Sequence, residues 1–269
     1  MTVERIEQTF ARLASERRTA LVAYLCVGDP SVDDSKACAL AAVEAGADML
    51  EIGVPFSDPT ADGPVIAAAA FRAIHNGGSL TAALDVARAV RARSDAPIVL
   101  FTYYNPVMAF GETKLPAVAR EAGVDAFLVV DLPPEEGAEL RRCARESGIG
   151  FIPLLAPTSD RAREDAAFPT ASGFVYYVSM TGVTGAAGVS IDDASRRANE
   201  LRDRARLPVV VGFGIDSREK AHAARRHGVS GVAVGTAIVK AIAAGKSTAE
   251  RVAAVRKLVA ELRAGLDEA

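Results

Sequence analysis

The sequence predicts an α/β fold, a (βα)8 TIM barrel with an additional N-terminal helix, and three observations support this prediction. The length of 269 residues is close to the ~250 residues typical of such a barrel. Apolar, β-rich runs alternate with helical stretches, and the alternation repeats eight times. The strand segments are apolar at nearly every position, which indicates burial on both faces and therefore a parallel sheet.

The elements follow one another in a regular order. The N-terminal helix carries Ile6, Phe10 and Leu13 on one stripe, which predicts that it covers the floor of the barrel. Eight strands are predicted at 21–28, 48–55, 97–104, 125–131, 150–156, 173–179, 208–214 and 231–237. Ala-rich periodic segments between them predict helices, among them 33–45, 79–92, 133–146 and 191–205. Ala-Gly or Ser-Gly pairs at 45–46, 122–123 and 147–148 predict helix ends just before the next strand.

The lengths of the connections point to one face of the barrel. The connections that follow the predicted strands 2 and 6 are long. The longer loops therefore lie on the C-terminal face, where barrel enzymes have their active sites. A doubly wound open sheet is the alternative, but its first βα turn usually carries GxGxxG, and here Gly28-Asp29-Pro30-Ser31 follows strand 1. No linker or low-complexity tract interrupts the chain, so we expect a single domain over residues 1–269.

Composition excludes several classes of function. The net charge is -3 and basic residues are scattered singly or in pairs, which argues against a nucleic-acid groove. The longest apolar runs are strand-sized, far short of the ~20 residues of a membrane span. The first 18 residues alternate Glu and Arg without an apolar core, which argues against a signal peptide. Cys26, Cys38 and Cys143 show neither CxxC nor zinc-ligand spacing, so we expect no metal site and a reducing, cytoplasmic location.

Histidine and lysine are not placed for catalysis in a barrel. His75, His222 and His227 all fall on helical stretches, which removes the usual general base and the commonest metal ligand. The six lysines also lie on helices or in helix-bounding turns, whereas a Schiff-base mechanism needs a lysine inside the barrel. Carboxylates are therefore expected to carry the proton transfers.

Glu51 is the strongest candidate among the carboxylates. In the second predicted strand Leu50, Ile52 and Val54 are apolar and should face the outer helices, so the two-residue period points Glu51 into the barrel. An ionised, unpaired carboxylate is costly to bury. Glu51 is therefore either held by a neighbouring hydroxyl as a structural group, or is a working acid or base whose pKa burial has moved.

Asp58 and Asp62 follow in the loop, each with an alternative structural role. Asp62-Gly63-Pro64 is typical of a helix start, so Asp62 is a candidate either for helix capping or for chemistry. Asp58 precedes Pro59 and is equally well explained as a turn former.

Glycine-rich turns and aromatic residues complete the candidate site. Gly182-Val183-Thr184-Gly185, Gly212-Phe213-Gly214 and Gly235-Thr236 follow the last three strands, where barrels often bind phosphate through backbone amides and helix N-termini. Aromatic side chains near the same strand ends, some of them ordinary core, are positioned to clamp a flat aromatic group: Phe101, Tyr103, Tyr104, Tyr176, Tyr177 and Phe213.

Six motifs in this order carry a resemblance to a known family: LEIGVPFSDPTADGP, TYYNPV, LPPEE, SMTGVTG, VGFGI and VGTAIVK. From Tyr24 to about Lys240 the chain resembles the tryptophan synthase alpha subunit, and the block at 51–64 is the most specific part. The resemblance implies retro-aldol cleavage of indole-3-glycerol phosphate into indole and glyceraldehyde 3-phosphate. It also implies a beta-subunit partner in an alpha2-beta2 heterotetramer, with the pyridoxal phosphate held by that partner and no cofactor in this chain.

The resemblance assigns roles to individual residues. It makes Glu51 and Asp62 the catalytic pair, and Asp58 part of the loop that communicates with the partner. The positions implied to bind substrate are Tyr176, Phe101, Tyr103 and Phe213 around the indole, and Gly185, Gly214, Gly235 and Thr236 around the phosphate. Two departures bear on loop closure and coupling: Met180 stands where many members carry Arg, and Ala67–Ala70 replaces a more polar stretch.

Three other functions fit parts of this pattern. A stand-alone indole-3-glycerol phosphate lyase would use the same chemistry without a partner. A non-catalytic subunit that only activates its partner conflicts with the intact Glu51 and Asp62. Another phosphate-binding barrel, such as a metal-dependent epimerase, needs histidine at strand ends, which this chain lacks.

Overall fold

A computed structural model describes residues 4–178, 190–212 and 214–268. Its strands are short and nearly all buried: β1 Ala20–Cys26, β2 Met49–Gly53, β3 Ile98–Thr102, β4 Ala126–Val129, β5 Gly150–Phe151, β6 Leu154–Leu155, β7 Val175–Val178, β8 Val209–Gly212 and β9 Gly231–Val234. They form one sheet in the order β5-β4-β3-β2-β1-β9-β8-β7-β6, and every pairing in it is parallel.

The sheet closes into a ring through a strand that is split in two. The fifth predicted strand, 150–156, is divided into β5 and β6 by Ile152 and Pro153. The Ile152 N–H donates to the Phe127 carbonyl in β4 at 2.8 Å, and the Pro153 carbonyl accepts from the Tyr176 N–H in β7 at 3.0 Å. This one segment therefore joins both ends of the strand order, and the predicted eight-stranded barrel is confirmed.

Twelve helices surround the barrel in the described part of the chain, with these bounds: α1 Glu4–Ser15, α2 Val32–Glu44, α3 Pro64–His75, α4 Leu80–Arg91, α5 Tyr104–Phe110, α6 Leu115–Glu121, α7 Ala138–Ser147, α8 Arg161–Ala167, α9 Ile191–Ala205, α10 Arg218–Arg226, α11 Thr236–Ala244 and α12 Thr248–Asp267. The predicted helix end at 147–148 is confirmed, because Gly148 caps α7 in the left-handed region at φ 81°.

Two predicted boundaries were wrong for local reasons. The helix predicted over 133–146 begins only at Ala138, after two prolines and a left-handed Gly137 that serves as its N-cap. The third predicted strand, 97–104, ends at Thr102, and Tyr104 is the first residue of α5. Strands β8 and β9 also end earlier than predicted, at Gly212 and Val234, so Gly214, Gly235 and Thr236 lie beyond the sheet.

Alternate residues of the strands pack against two separate cores. Leu50 and Ile52 lie in the outer core between sheet and helices, as the two-residue period predicts. The inner core contains one inward residue or more from almost every strand, among them Met49 and Val210. Helix α1 covers its floor with Ile6, Phe10 and Leu13, and the Phe10 and Phe174 rings are 5.7 Å apart. The predicted role of the N-terminal helix is confirmed.

Buried ion pairs hold the N-terminal face of the barrel. Asp125, fully buried, accepts from Arg5 and Arg91 at 2.8 Å each and from the Ile98 N–H at 2.9 Å. Asp48 accepts from Arg263 and from the Leu21 N–H, both at 2.9 Å. These carboxylates have partners on several sides, which buried charges require. The N-terminal face is thus a structural base, and the site lies at the other end.

No helix within residues 4–178, 190–212 and 214–268 combines the length and apolar character that crossing a membrane requires. Cys26, Cys38 and Cys143 are free and buried, the second in α2 and the third in α7.

Candidate active site

Glu51 lies at the centre of the candidate site. It sits in the middle of β2 between Leu50 and Ile52, which face the helices, so its own side chain enters the barrel. The residue is 1% exposed, and neither carboxyl oxygen has a hydrogen-bond partner in the described part of the chain. Burial raises the pKa of Glu51 to about 8, so the carboxyl is largely protonated at neutral pH. The neighbouring hydroxyl that a structural role requires is not bonded to it.

Aromatic side chains from β1, β3 and β7 pack inside the barrel that Glu51 enters. The Tyr24 and Phe101 rings meet edge to face with centroids 5.3 Å apart. Burial raises the pKa of Tyr176 well above its usual range, and the nearby carboxyls of Glu51 and Asp62 raise it further. Tyr176 is therefore close to both carboxyls. Its hydroxyl lies against Gly212, where a Cβ would be only 2.7 Å away, so the close approach depends on glycine at that position.

Asp62 is held by Tyr103, which directly follows strand β3. The Tyr103 hydroxyl donates to Asp62 Oδ2 at 3.1 Å and accepts from the Ala61 N–H at 3.0 Å. Burial raises the pKa of Asp62 to about 6, and the hydrogen bond from Tyr103 opposes this by lowering it. The cap of α3 is Gly63, with Pro64 in the first turn, so helix capping does not explain Asp62. The two carboxyls thus have pKa values on opposite sides of neutrality.

Asp58 lies apart from these groups, at the exposed tip of the loop between β2 and α3. Its backbone carbonyl accepts from the Thr60 N–H at 2.9 Å, which closes a tight turn. The alternative role of Asp58 as a turn former therefore has support. Its side chain is exposed at this position and accessible to another protein surface.

The Gly235-Thr236 turn and the two glycines of the Gly212-Phe213-Gly214 turn lie in the described part of the chain. Gly235 is the N-cap of α11, Thr236 is the first, exposed residue of that helix, and no side chain caps its amides. Gly214 follows β8 with φ 72°, a conformation that favours glycine. The third turn, with Gly185, lies outside the described residues, as do Phe213 and Met180.

Tyr104, Tyr177 and the three histidines lie outside the candidate site. Tyr177 belongs to the outer core, and the Tyr104 hydroxyl donates to Glu112 beside α5. His75, His222 and His227 lie on α3 and α10 or at the end of α10. Within residues 4–178, 190–212 and 214–268, no three His, Cys, Asp or Glu side chains are grouped closely enough to hold a metal ion.

Sequence reasoning missed two residues that line the site. Tyr24 on β1 packs over Gly53 and beside Gly235, where a Cβ would lie 3.3 Å from its ring. Ile66 on α3 lies 3.5 Å from the same point. β1 is apolar throughout, so alternation in its sequence did not show which residues face inward. The position of Tyr24 relative to Glu51 across neighbouring strands is the signal that identifies it.

Comparisons with known proteins show the family of the chain. The family model for the tryptophan synthase alpha chain matches residues 10–267. The tryptophan synthase alpha chain of Citrifermentans bemidjiense is 45% identical over 238 residues, which cover 88% of this chain and 89% of that protein. The alpha chain from Geobacter sp. strain M21 is 45% identical over the same length.

Solved structures give the same result at the level of the fold. Tryptophan synthase subunit alpha from Legionella pneumophila superposes with a TM-score of 0.91 at 31% identity, covering 99% of both chains. A chain of the aminoacrylate-bound tryptophan synthase from M. tuberculosis superposes with a TM-score of 0.87 at 32% identity, covering 97% of this chain and 99% of that one. The chain therefore belongs to the tryptophan synthase alpha chain family, and its role is in tryptophan biosynthesis.

Proposed function

We propose that the chain is a carbon–carbon lyase that cleaves indole-3-glycerol phosphate into indole and glyceraldehyde 3-phosphate. The observation that carries this proposal is Glu51, a buried carboxyl without a hydrogen-bond partner in the described residues and with a pKa raised to about 8. A retro-aldol step of this kind needs an acid that delivers a proton to carbon and a base that accepts one from a hydroxyl. A single buried carboxyl can serve both steps.

Glu51 is assigned both proton transfers. In its protonated form it donates to C3 of the indole, which becomes a cationic ring with a tetrahedral carbon. The resulting carboxylate then accepts the proton of the side-chain hydroxyl. The oxygen electrons form the aldehyde, the bond between C3 and the side chain breaks, and its electron pair returns to the ring. Glu51 ends protonated, so the cycle closes without net proton uptake.

Asp62 is assigned to the charge that develops during this step. Protonation of C3 places positive charge on the indole nitrogen, and an ionised carboxylate accepting from that N–H stabilises it. With its pKa raised to only about 6, Asp62 is ionised at neutral pH while Glu51 is protonated. Two carboxyls kept in different protonation states by their surroundings is a recurring solution in enzymes.

The remaining contacts are assigned to binding. Phe101, Tyr176 and Tyr24 surround the position that the flat indole would take, and Phe213 is expected to join them by analogy. The phosphate is assigned to the amides at Gly214, Gly235 and Thr236, with Gly185 from the resemblance. The N-terminus of α11 supports this, because its first amides have no side-chain cap and a helix N-terminus favours anions.

We further propose a beta subunit as partner, docked on the C-terminal face and contacting the loop around Asp58. The expected assembly is an alpha2-beta2 heterotetramer in the cytoplasm. The pyridoxal phosphate is assigned to that partner, since all six lysines of this chain lie in or beside the outer helices. Exposure of Asp58 at the loop tip supports the contact.

The test is turnover of indole-3-glycerol phosphate by the purified chain, measured as indole release, with and without a beta subunit. Release that the partner accelerates is the expected result. Release that is rapid alone and insensitive to the partner favours the stand-alone lyase. Absence of release in both conditions, with activation of the beta reaction retained, favours a non-catalytic activating subunit.

A further inference from the structure

The Tyr103 hydroxyl makes two hydrogen bonds that a residue lining a pocket would not need. The hydroxyl lies between two groups of one loop, accepting from the Ala61 N–H and donating to the Asp62 carboxyl. A backbone N–H can only donate, so the hydroxyl must accept there, and its own proton is left for Asp62. An ionised carboxylate is the better acceptor for that proton. The arrangement therefore favours the charged form of Asp62.

The Tyr103 side chain contacts both ends of the loop 56–62. Tyr103 is 2% exposed and stands where β3 ends, so it belongs to the rigid barrel. Its ring packs 5.1 Å from the ring of Phe56, at the start of the loop. Within residues 56–62 the backbone hydrogen bonds in the described structure are local, from Thr60 to Asp58 and from Asp62 to Pro59. Among the described residues, the hydrogen bonds that join this segment to the barrel both end on the Tyr103 hydroxyl.

In residues 4–178, 190–212 and 214–268, no charged side chain hydrogen-bonds Asp62 in place of Tyr103. The other titratable side chains that sense the charge of Asp62 are Tyr24, Cys26 and Tyr176. Burial raises the pKa of all three, with Cys26 at about 12, so each is neutral at pH 7. Glu51, at the centre of the site, is largely protonated as well. Among the residues that the structure describes, the hydroxyl of Tyr103 is the side-chain group that hydrogen-bonds the Asp62 carboxylate.

We propose that Tyr103 is a positioning residue, whose hydroxyl holds the Asp62 carboxylate in place and fixes the loop 56–62 to the end of β3. The expected effect on turnover rests on the proposed function, because the proposed function assigns Asp62 to stabilise the developing cation. The positioning role replaces the indole-pocket role that the resemblance implies for Tyr103. The side chain acts through Asp62 and not through contact with the substrate.

The decisive variant is Tyr103→Phe, which removes the hydroxyl and keeps the ring that packs on Phe56. We expect kcat for indole release to fall about tenfold or more, because a hydrogen bond to a charged group is lost, while KM changes little. The matched control is Tyr104→Phe, the same chemical change at the next residue, whose hydroxyl bonds Glu112 outside the site. This control should keep wild-type kcat.

Two further measurements separate positioning from a general structural effect. In the double variant with Asp62→Asn, loss of the Tyr103 hydroxyl should have almost no additional effect, because its target is already neutral. Carboxyl-carbon NMR of the chain without substrate should show the Asp62 pKa moving upward in Tyr103→Phe and unchanged in Tyr104→Phe. This titration needs no turnover, so it tests the inference even if the proposed function fails.

The opposite results would overturn the inference. An unchanged Asp62 titration in Tyr103→Phe shows that the hydroxyl does not support the carboxylate. Equal losses of kcat from Tyr103→Phe in the wild-type and Asp62→Asn backgrounds show that it does not act through Asp62. By contrast, absence of indole release from the wild-type chain with a beta subunit contradicts the proposed function alone.

Discussion

Tyr24 pairs with Glu51 in the parallel register of β1 and β2, so the two side chains leave neighbouring strands on the same side of the sheet. A Cβ on Gly53, the next inward position of β2, would lie 2.5 Å from the Tyr24 hydroxyl. Tyr24 therefore extends over β2 toward the C-terminal end and contributes to the burial of Glu51. This burial, and not a nearby charge, is what raises the Glu51 pKa.

Replacing Glu51 with Gln should abolish cleavage and leave the fold intact. The amide has the same shape but cannot deliver or accept the two protons, and general acid–base groups contribute about 10²–10⁴-fold to rates. The measurement is indole release under single-turnover conditions. Glu121→Gln, the same change on the exposed face of α6, is the matched control and should retain full activity. Activity of Glu51→Gln within tenfold of wild type contradicts the assignment.

The pH dependence of kcat/KM should be bell-shaped. Glu51 must be protonated to act as acid, so activity falls as pH rises through about 8. Asp62 must be ionised, so activity falls as pH drops through about 6. The alkaline limit is the diagnostic one, because a substrate phosphate also ionises near pH ~6. Activity that stays constant from pH 7 to pH ~10 would show that no group with the raised pKa of Glu51 is needed in its protonated form.

The orientation of Glu51 could be predicted from the sequence because it depends on a local rule. Alternation along one strand fixes which side chains face the helices, and Leu50 and Ile52 leave Glu51 no other side. The closed barrel could also be predicted, because the strand–helix alternation repeats eight times along the sequence. The split of the fifth strand at Pro153 could not be predicted, because its hydrogen bonds depend on the twist of the finished ring.

The role of Tyr103 could not be predicted, because its partners are distant in sequence. Its hydroxyl meets Asp62 and Ala61 across separations of 41 and 42 residues, and only closure of β2 against β3 brings them together. The alternative for Asp62 as a helix cap was a reasonable local interpretation that tertiary contacts overrode. Tyr104, the next residue in the sequence, shows the same limit, because its hydroxyl turns away from the site and donates to Glu112.

Thr236→Asp should weaken binding of the phosphorylated substrate without destabilising the protein. Thr236 is the first, exposed residue of α11, where an added carboxylate interacts favourably with the helix dipole. The same charge would repel a phosphate bound at those amides. We expect KM to rise at least tenfold with the melting temperature unchanged or higher.

Thr236→Asn is the matched control for this change, with nearly the same size and no charge. It should keep KM close to wild type, and the difference between the two variants should shrink in high salt. An unchanged KM in Thr236→Asp would place the phosphate away from the N-terminus of α11.

A beta subunit should accelerate indole release by at least tenfold. The loop 56–62 contains both Asp62, which hydrogen-bonds Tyr103 in the candidate site, and Asp58, which is exposed at the tip of the loop. A partner that binds the exposed tip in one loop position therefore stabilises that position of Asp62 as well. Such a partner shifts the population of the loop, and the gain is limited by its preference for that position. Exclusion of water from the site on docking would strengthen the interaction of Asp62 with the developing cation.

Steady-state indole release during titration with a beta subunit measures this response. Asp58→Ala should need a higher concentration of partner to reach the same rate, because it removes the exposed side chain of the loop tip. Glu121→Gln, a charge removed from α6, provides the comparison for a general change of surface charge and should titrate like wild type. If Asp58→Ala and wild type respond identically, the partner does not act through this loop. A rate that is already maximal in the isolated chain would instead favour the stand-alone lyase, in which Tyr103 alone keeps Asp62 in its working position.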